Sequence, residues 1–99
     1  MKKVGKIDIF GQKWNIVRAK LPATEAGLCE FSKQKITINQ DIPEGSNLEL
    51  ETIFHEIFHS SFERCSYKQS GLPHELEEVM IDQLAKILTE NRKLLKKLL

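Results

Sequence analysis

Two histidines and a glutamate form the stretch of this chain whose residue types and spacing could do hydrolytic chemistry. In Thr52-Ile53-Phe54-His55-Glu56-Ile57-Phe58-His59 the histidines are four apart, and the glutamate follows the first. On a helix, positions i and i+4 share a face one turn apart, so both imidazoles can reach a single metal ion. Glu56 falls roughly 100° around the helix from His55. That places its carboxylate beside the ion rather than on it, where a general base takes a proton from a metal-bound water. His55 and His59 are therefore the expected metal ligands, Glu56 the expected base, and Zn2+ the expected ion.

The elements around this stretch must hold it in place. Leu50, Ile53, Phe54, Ile57, Phe58 and Phe62 make a continuous apolar arc at helical spacing, with the histidines at its border. Ser46 followed by Glu49 is a capping box, so the helix should begin just after Ser46 and run to about Cys65 or Tyr67. Upstream, Lys3 to Phe10 and Lys13 to Lys20 read as two strands around Gly11-Gln12. Leu28 to Phe31 and Lys35 to Asn39 read as a second hairpin around Ser32-Lys33-Gln34. Ile36 and Ile38 alternate with Lys35, Thr37 and Asn39, which suggests a sheet edge with one polar face.

Downstream, Pro73 suits the first turn of a second helix that continues through Leu76, Met80, Leu84, Ile87 and Leu88 and frays near Asn91. The tail Arg92-Lys93-Leu94-Leu95-Lys96-Lys97-Leu98-Leu99 is basic and amphipathic. It is expected to extend the helix, with its leucines packed inward and its cations at the negative end of the helix dipole. The expected fold class is α+β, a small antiparallel sheet from two hairpins followed by two helices packed on one face.

A catalytic zinc usually has three protein ligands and one open position. The candidates for the third are His74, Glu75, Glu77 and Glu78, around the start of the second helix. Glu78 and Asp82 are i and i+4, so a ligand and a supporting carboxylate can share one helix edge, with Asp82 accepting the far N–H of a metal-bound histidine. Glu77 lies nearer the middle of the arc made by Met80, Ile81, Leu84 and Leu88, where an unpartnered carboxylate is costly and a metal would resolve the cost. Tyr67 and His74 are candidates to hydrogen-bond an oxyanion, although a structural or solvated place is the commoner fate of each. Glu51 reads as a surface charge, and Trp14 as core. Position 62 is Phe62 and position 65 is Cys65, which excludes the metzincin extension.

The net charge of +1 does not point to nucleic acid or a membrane. Cys29 and Cys65 stand far apart, as two thiols of a reducing compartment. No apolar run approaches the roughly 20 residues of a membrane span. Residues 1–99 are expected to form one cytoplasmic domain, a monomer that meets a protein or peptide substrate.

Gly27-Leu28-Cys29, Ile36-Thr37-Ile38-Asn39, His55-Glu56-Ile57-Phe58-His59 and Glu78-Val79-Met80-Ile81-Asp82-Gln83-Leu84-Ala85 occur in that order. Together they resemble a small zincin of the gluzincin kind, similar to ImmA/IrrE-type metallopeptidases and to short peptidases encoded by phages and prophages. The resemblance implies a minimal zincin-like fold and zinc-dependent hydrolysis of peptide bonds, with a non-catalytic zinc-stabilised regulatory module as the alternative. It implies Glu78 as third ligand, the Glu that begins the family's E-x-x-A-N-x-F-A pattern. Ile81 stands at the Ala place, Asp82 at the Asn place and Leu84-Ala85 at the closing pair, so only the Glu and the final Ala are identical. Ser60 and Ser61 also depart from the small apolar residues often found there. A third ligand at His74 would instead resemble SprT-type proteins, whose following Gly is Glu75 here.

Overall fold

The computed structural model describes residues 2–64, 71 and 73–98, with the side chains of residues 63 and 64 outside that set. Four strands, β1 (Lys2–Ile9), β2 (Gln12–Ala19), β3 (Gly27–Glu30) and β4 (Lys35–Asn39), precede three helices, α1 (Asn47–Arg64), α2 (His74–Glu90) and α3 (Arg92–Leu98). β1 and β2 form an antiparallel hairpin turned by Phe10 and Gly11, both at positive φ (49° and 81°). Two such residues match the right-handed strand twist, as a type I′ turn does. β3 and β4 form the second antiparallel hairpin, closed at Gln34 with φ 48°.

The sheet is mixed rather than wholly antiparallel. Its order is β1-β2-β4-β3, and β2 runs parallel to β4 with Ile16 beside Ile36 and Arg18 beside Ile38. β4 is thus an interior strand, not the edge its alternation suggested. Its polar residues are buried for a different purpose. Asn39 Nδ2 donates to the carbonyl of Glu25 at 2.9 Å and lies 3.3 Å from those of Leu21 and Pro22, while Oδ1 accepts from the Asp41 N–H at 3.1 Å. A polar side chain that ties a crossover loop reads, in sequence, like one facing water. The short β3 takes the edge instead.

Ile9, Trp14, Ile16, Ile36, Ile38 and Ile42 form the core, and Ile53 and Ile57 of α1 pack against it. Trp14 is buried, as expected of core, with Phe31 edge-on to it at 6.1 Å. The Ser46 cap forms, its Oγ accepting from the Glu49 N–H at 3.1 Å, while Glu49 Oε1 reaches one residue further back than a capping box and accepts from the Gly45 N–H at 3.0 Å. Buried Arg18 of β2 donates to the Glu49 carboxylate and to the Ile42 carbonyl, fixing the start of α1 against the sheet.

The second helix does not lie on the sheet. α2 packs on α1, and its buried residues are Glu77, Ile81, Ala85 and Thr89. The larger residues at helical spacing, among them Met80, Leu84 and Ile87, face outward. α3 touches α2 alone among the described elements and buries none of its residues, so Leu94, Leu95 and Leu98 do not pack inward as expected. No described helix is long and apolar enough to cross a membrane.

Candidate metal centre

The middle of α1 and the first turns of α2 bring five side chains together. His55 Nε2 and His59 Nε2 stand 3.0 Å apart. Glu78 reaches both from α2, with one oxygen 2.9 Å from His59 Nε2 and the other 3.6 Å from His55 Nε2. One ligand atom from each of His55, His59 and Glu78 can be chosen so that all lie within 4.8 Å of one another, and this group could hold a metal ion. Zinc–ligand bonds of about 2.0–2.1 Å in a tetrahedron separate neighbouring donors by roughly 3.3 Å, close to the separations found here.

The far nitrogens explain the orientation of the rings. His55 Nδ1 lies 2.9 Å from Asp82 Oδ1, and His59 Nδ1 lies 3.5 Å from Glu77 Oε1. With their Nδ1 protons directed at these carboxylates, both rings present a lone pair at Nε2, which is the tautomer metal ligation requires. Burial also pulls the His59 pKa below its ordinary value, against the opposing pull of Glu78, which keeps that ring neutral near pH 7. Two imidazole lone pairs and a carboxylate therefore face one point, and a cation between them relieves their repulsion. The donor set of two nitrogens and one oxygen fits zinc.

Glu77 is 2% exposed. Its place in the middle of the apolar arc was the signal in the sequence, and the contact with His59 Nδ1 answers the cost of burying it. It thus supports a ring from behind, as Asp82 does for the other. Of the remaining sequence candidates, His74 opens α2 and is exposed, and Glu75 is exposed beside it. Cys65 and Tyr67 lie outside the described residues.

Glu56 sits beside this centre and is 7% exposed. Its carboxyl is pushed up to about 7, first by burial and then by the charges of Glu78 and Glu25, against the pull of His55. It lines two neighbouring clefts. One, of about 380 Å³, is bounded by Glu25, Gly27, Glu51, Thr52, His55 and Asp82, which puts Glu51 on a cleft wall outside the ligand group. The other, of about 330 Å³, is bounded by Gly27, Leu28, Cys29, Phe31 and His59. The two meet at His55, Glu56 and Gly27, below the edge strand β3. One lobe is acidic, and the other sets Leu28, Cys29 and Phe31 beside the histidines and Glu56.

Gly27 entered the sequence reading only within the Gly27-Leu28-Cys29 stretch of the resemblance, with no role at this site. A Cβ there would fall 2.9 Å from Thr52 Cγ2, 3.0 Å from Glu56 Cγ and 3.2 Å from the Thr37 carbonyl oxygen. Only glycine lets β3 approach α1 this closely, and the approach holds the Glu56 stem in place. None of the protein-family models, curated proteins or solved structures compared with the chain matches it significantly, so the likeness to ImmA/IrrE-type peptidases rests on its motif residues.

Proposed function

We propose that this protein is a zinc-dependent peptidase in which His55, His59 and Glu78 hold the ion and Glu56 is the general base. The observation that carries the reading is the convergence of His55, His59 and Glu78 on one point, with the Asp82 and Glu77 carboxylates 2.9 and 3.5 Å from the far nitrogens of the two rings. A bound zinc ion would supply Lewis acidity, polarising a carbonyl and lowering the pKa of a water. Glu56 would take the proton of the attacking water and deliver it to the leaving amine. The phage-type and ImmA/IrrE-like resemblance agrees with this chemistry, and a protein or peptide is the expected substrate.

β3 is the sheet edge beside the centre, and its residues line the cleft. An extended substrate segment could add to it through backbone hydrogen bonds. Bound peptide should then slow amide exchange in Gly27 to Glu30, whereas Ile36 to Asn39 is already paired on both sides.

The deciding experiment is elemental analysis of protein purified without a histidine tag, combined with peptide hydrolysis by wild type and Glu56→Gln. About one zinc per chain is expected in both, with hydrolysis in wild type only. Protein that neither contains nor takes up a transition metal would end this reading. The alternative, a zinc-stabilised regulatory module, calls for a fourth protein ligand that closes the site. The group has three members among the described residues.

A further inference from the structure

The acidic lobe beside the histidines has two walls. One face of α1 supplies Leu48, Glu51, Thr52, His55 and Glu56, whose spacing puts them on a single side of the helix. The loop between β2 and β3 supplies Glu25 from the other wall. That loop is held in place. The Glu25 N–H donates to the Pro22 carbonyl at 2.9 Å, and the Glu25 carbonyl accepts from buried Asn39 at 2.9 Å. Gly27, two residues on, lies against Thr52 with no space for a Cβ. Beyond Glu25 the groove continues. A further lobe of about 310 Å³ shares Thr24, Glu25, Ala26 and Leu48 with the first.

We infer that this lobe receives a basic side chain of the substrate, a lysine or arginine next to the scissile bond, held by Glu25 and Glu51, a role that rests on the peptidase reading above. The chain has 15 Lys and Arg against 14 Asp and Glu. None of those cations lines the lobe or the two clefts that adjoin it, whereas Glu25, Asp41, Glu51, Glu56 and Asp82 do. Asp82 is engaged by His55. Glu25 and Glu51 have no ion pair among the described residues. Glu56 is an independent sign of a missing partner. It is 7% exposed, it lines the same lobe, and no described residue gives its carboxylate a hydrogen bond or an ion pair. Buried carboxylates left unanswered carry a cost that an arriving cation offsets.

A second metal ion fits the lobe less well. Among the described residues, only His55, His59 and Glu78 form a trio with ligand atoms within 4.8 Å of one another, so three acids of the lobe cannot share one ion. A long side chain ending in an ammonium or a guanidinium can meet them one after another. Because the groove runs on beyond Glu25, a bound peptide does not have to end there. That favours an internal basic residue over a free amino terminus.

Peptide binding tests this apart from catalysis. The probes are acetylated peptides with a fluorophore at the carboxyl end and one Lys beside one Phe in an alanine background. Matched peptides carry norleucine or Glu in place of the Lys. By fluorescence anisotropy with Glu56→Gln protein, the Lys peptide should bind about tenfold tighter than the norleucine peptide, as two partly exposed ion pairs give. The Glu peptide should be weakest, and the Lys advantage should shrink as salt rises. Adding Glu25→Gln and Glu51→Gln should erase the advantage, and Glu25→Lys with Glu51→Lys should turn the preference toward the Glu peptide. Equal affinity for the Lys and norleucine peptides, or no binding of either, overturns the inference, as does an advantage that survives Glu25→Gln with Glu51→Gln. Binding that requires a free amino group in place of the acetyl overturns it in favour of an amino-terminal site. Hydrolysis by wild type separates the two readings. Cleavage without a Lys preference removes the basic subsite and leaves the peptidase, whereas a Lys preference in binding with no cleavage leaves the cationic lobe partner and removes the peptidase.

Discussion

Two polar clusters lie along α1, and they are built to opposite specifications. Near its first turn, Arg18 is 6% exposed, yet its charge is answered on every side: Glu49 accepts from it, the Gln40 and Ile42 carbonyls accept from it, and Glu44 lies 3.8 Å away. Cation and acceptors balance, and the result is a joint between sheet and helix. Further along, His55 and His59 meet Glu77, Glu78 and Asp82, and no cation joins them among the described residues. Buried charge that is closed by its neighbours holds a fold together, whereas buried lone pairs left open mark a place for a ligand. This contrast, rather than the number of ionisable groups, separates the structural cluster from the candidate metal centre.

Removing an open donor should abolish the ligand and leave the fold. His55→Ala or His59→Ala is expected to lower zinc affinity by roughly three orders of magnitude, read by competition with a chromogenic chelator. Glu78→Gln should follow at about a hundredfold or more, because a neutral amide oxygen is a poorer donor than a carboxylate. If Glu77→Gln lost metal more completely than Glu78→Gln, the roles of the two glutamates would be reversed.

The closed cluster should answer in the opposite way. Arg18→Met is expected to lower stability by about 3 kcal/mol, since it strands a carboxylate and carbonyls, while zinc affinity stays within about twofold. Chemical denaturation and the chelator titration together would reveal a metal loss that breaks the comparison.

Asp82→Asn and Glu77→Gln test how far the open cluster depends on what stands behind its rings. Each should cost roughly 10–100-fold in affinity, because an amide can face the ring with its NH2 and reverse the tautomer. Indifference of either variant would mean that ring is held by packing alone. The smallest change sought is Gly27→Ala, which should push β3 from Glu56 and lower hydrolysis several-fold with zinc still bound. Equal loss of metal and activity would make Gly27 a folding residue.

Much of the centre was legible because it is local. Four-residue spacing puts His55 and His59 on one helix face whatever surrounds the helix, and Ser46 with Glu49 marks the start of α1 from their own backbone reach. Glu78 and Asp82 share an edge of α2 for the same reason. Both hairpins follow from turn residues and strand runs within a few positions. Periodicity also marked Leu76, Met80, Leu84 and Ile87 as one apolar stripe, but a stripe does not say what covers it.

The tertiary structure decided that point, because burial depends on the shape of the partner. α2 meets α1 through Glu77, Ile81, Ala85 and Thr89, and Ser60 of α1 is fully buried with its hydroxyl donated to the Ile57 carbonyl at 2.7 Å. That face of α2 turns Met80, Leu84 and Ile87 outward. Only that rotation gives Glu77 to His59 and Asp82 to His55. In the same way, the parallel pairing of β2 with β4 joins residues about twenty apart, a choice no local pattern encodes. It moved the sheet edge from β4 to β3, and with it the strand that lies along the cleft.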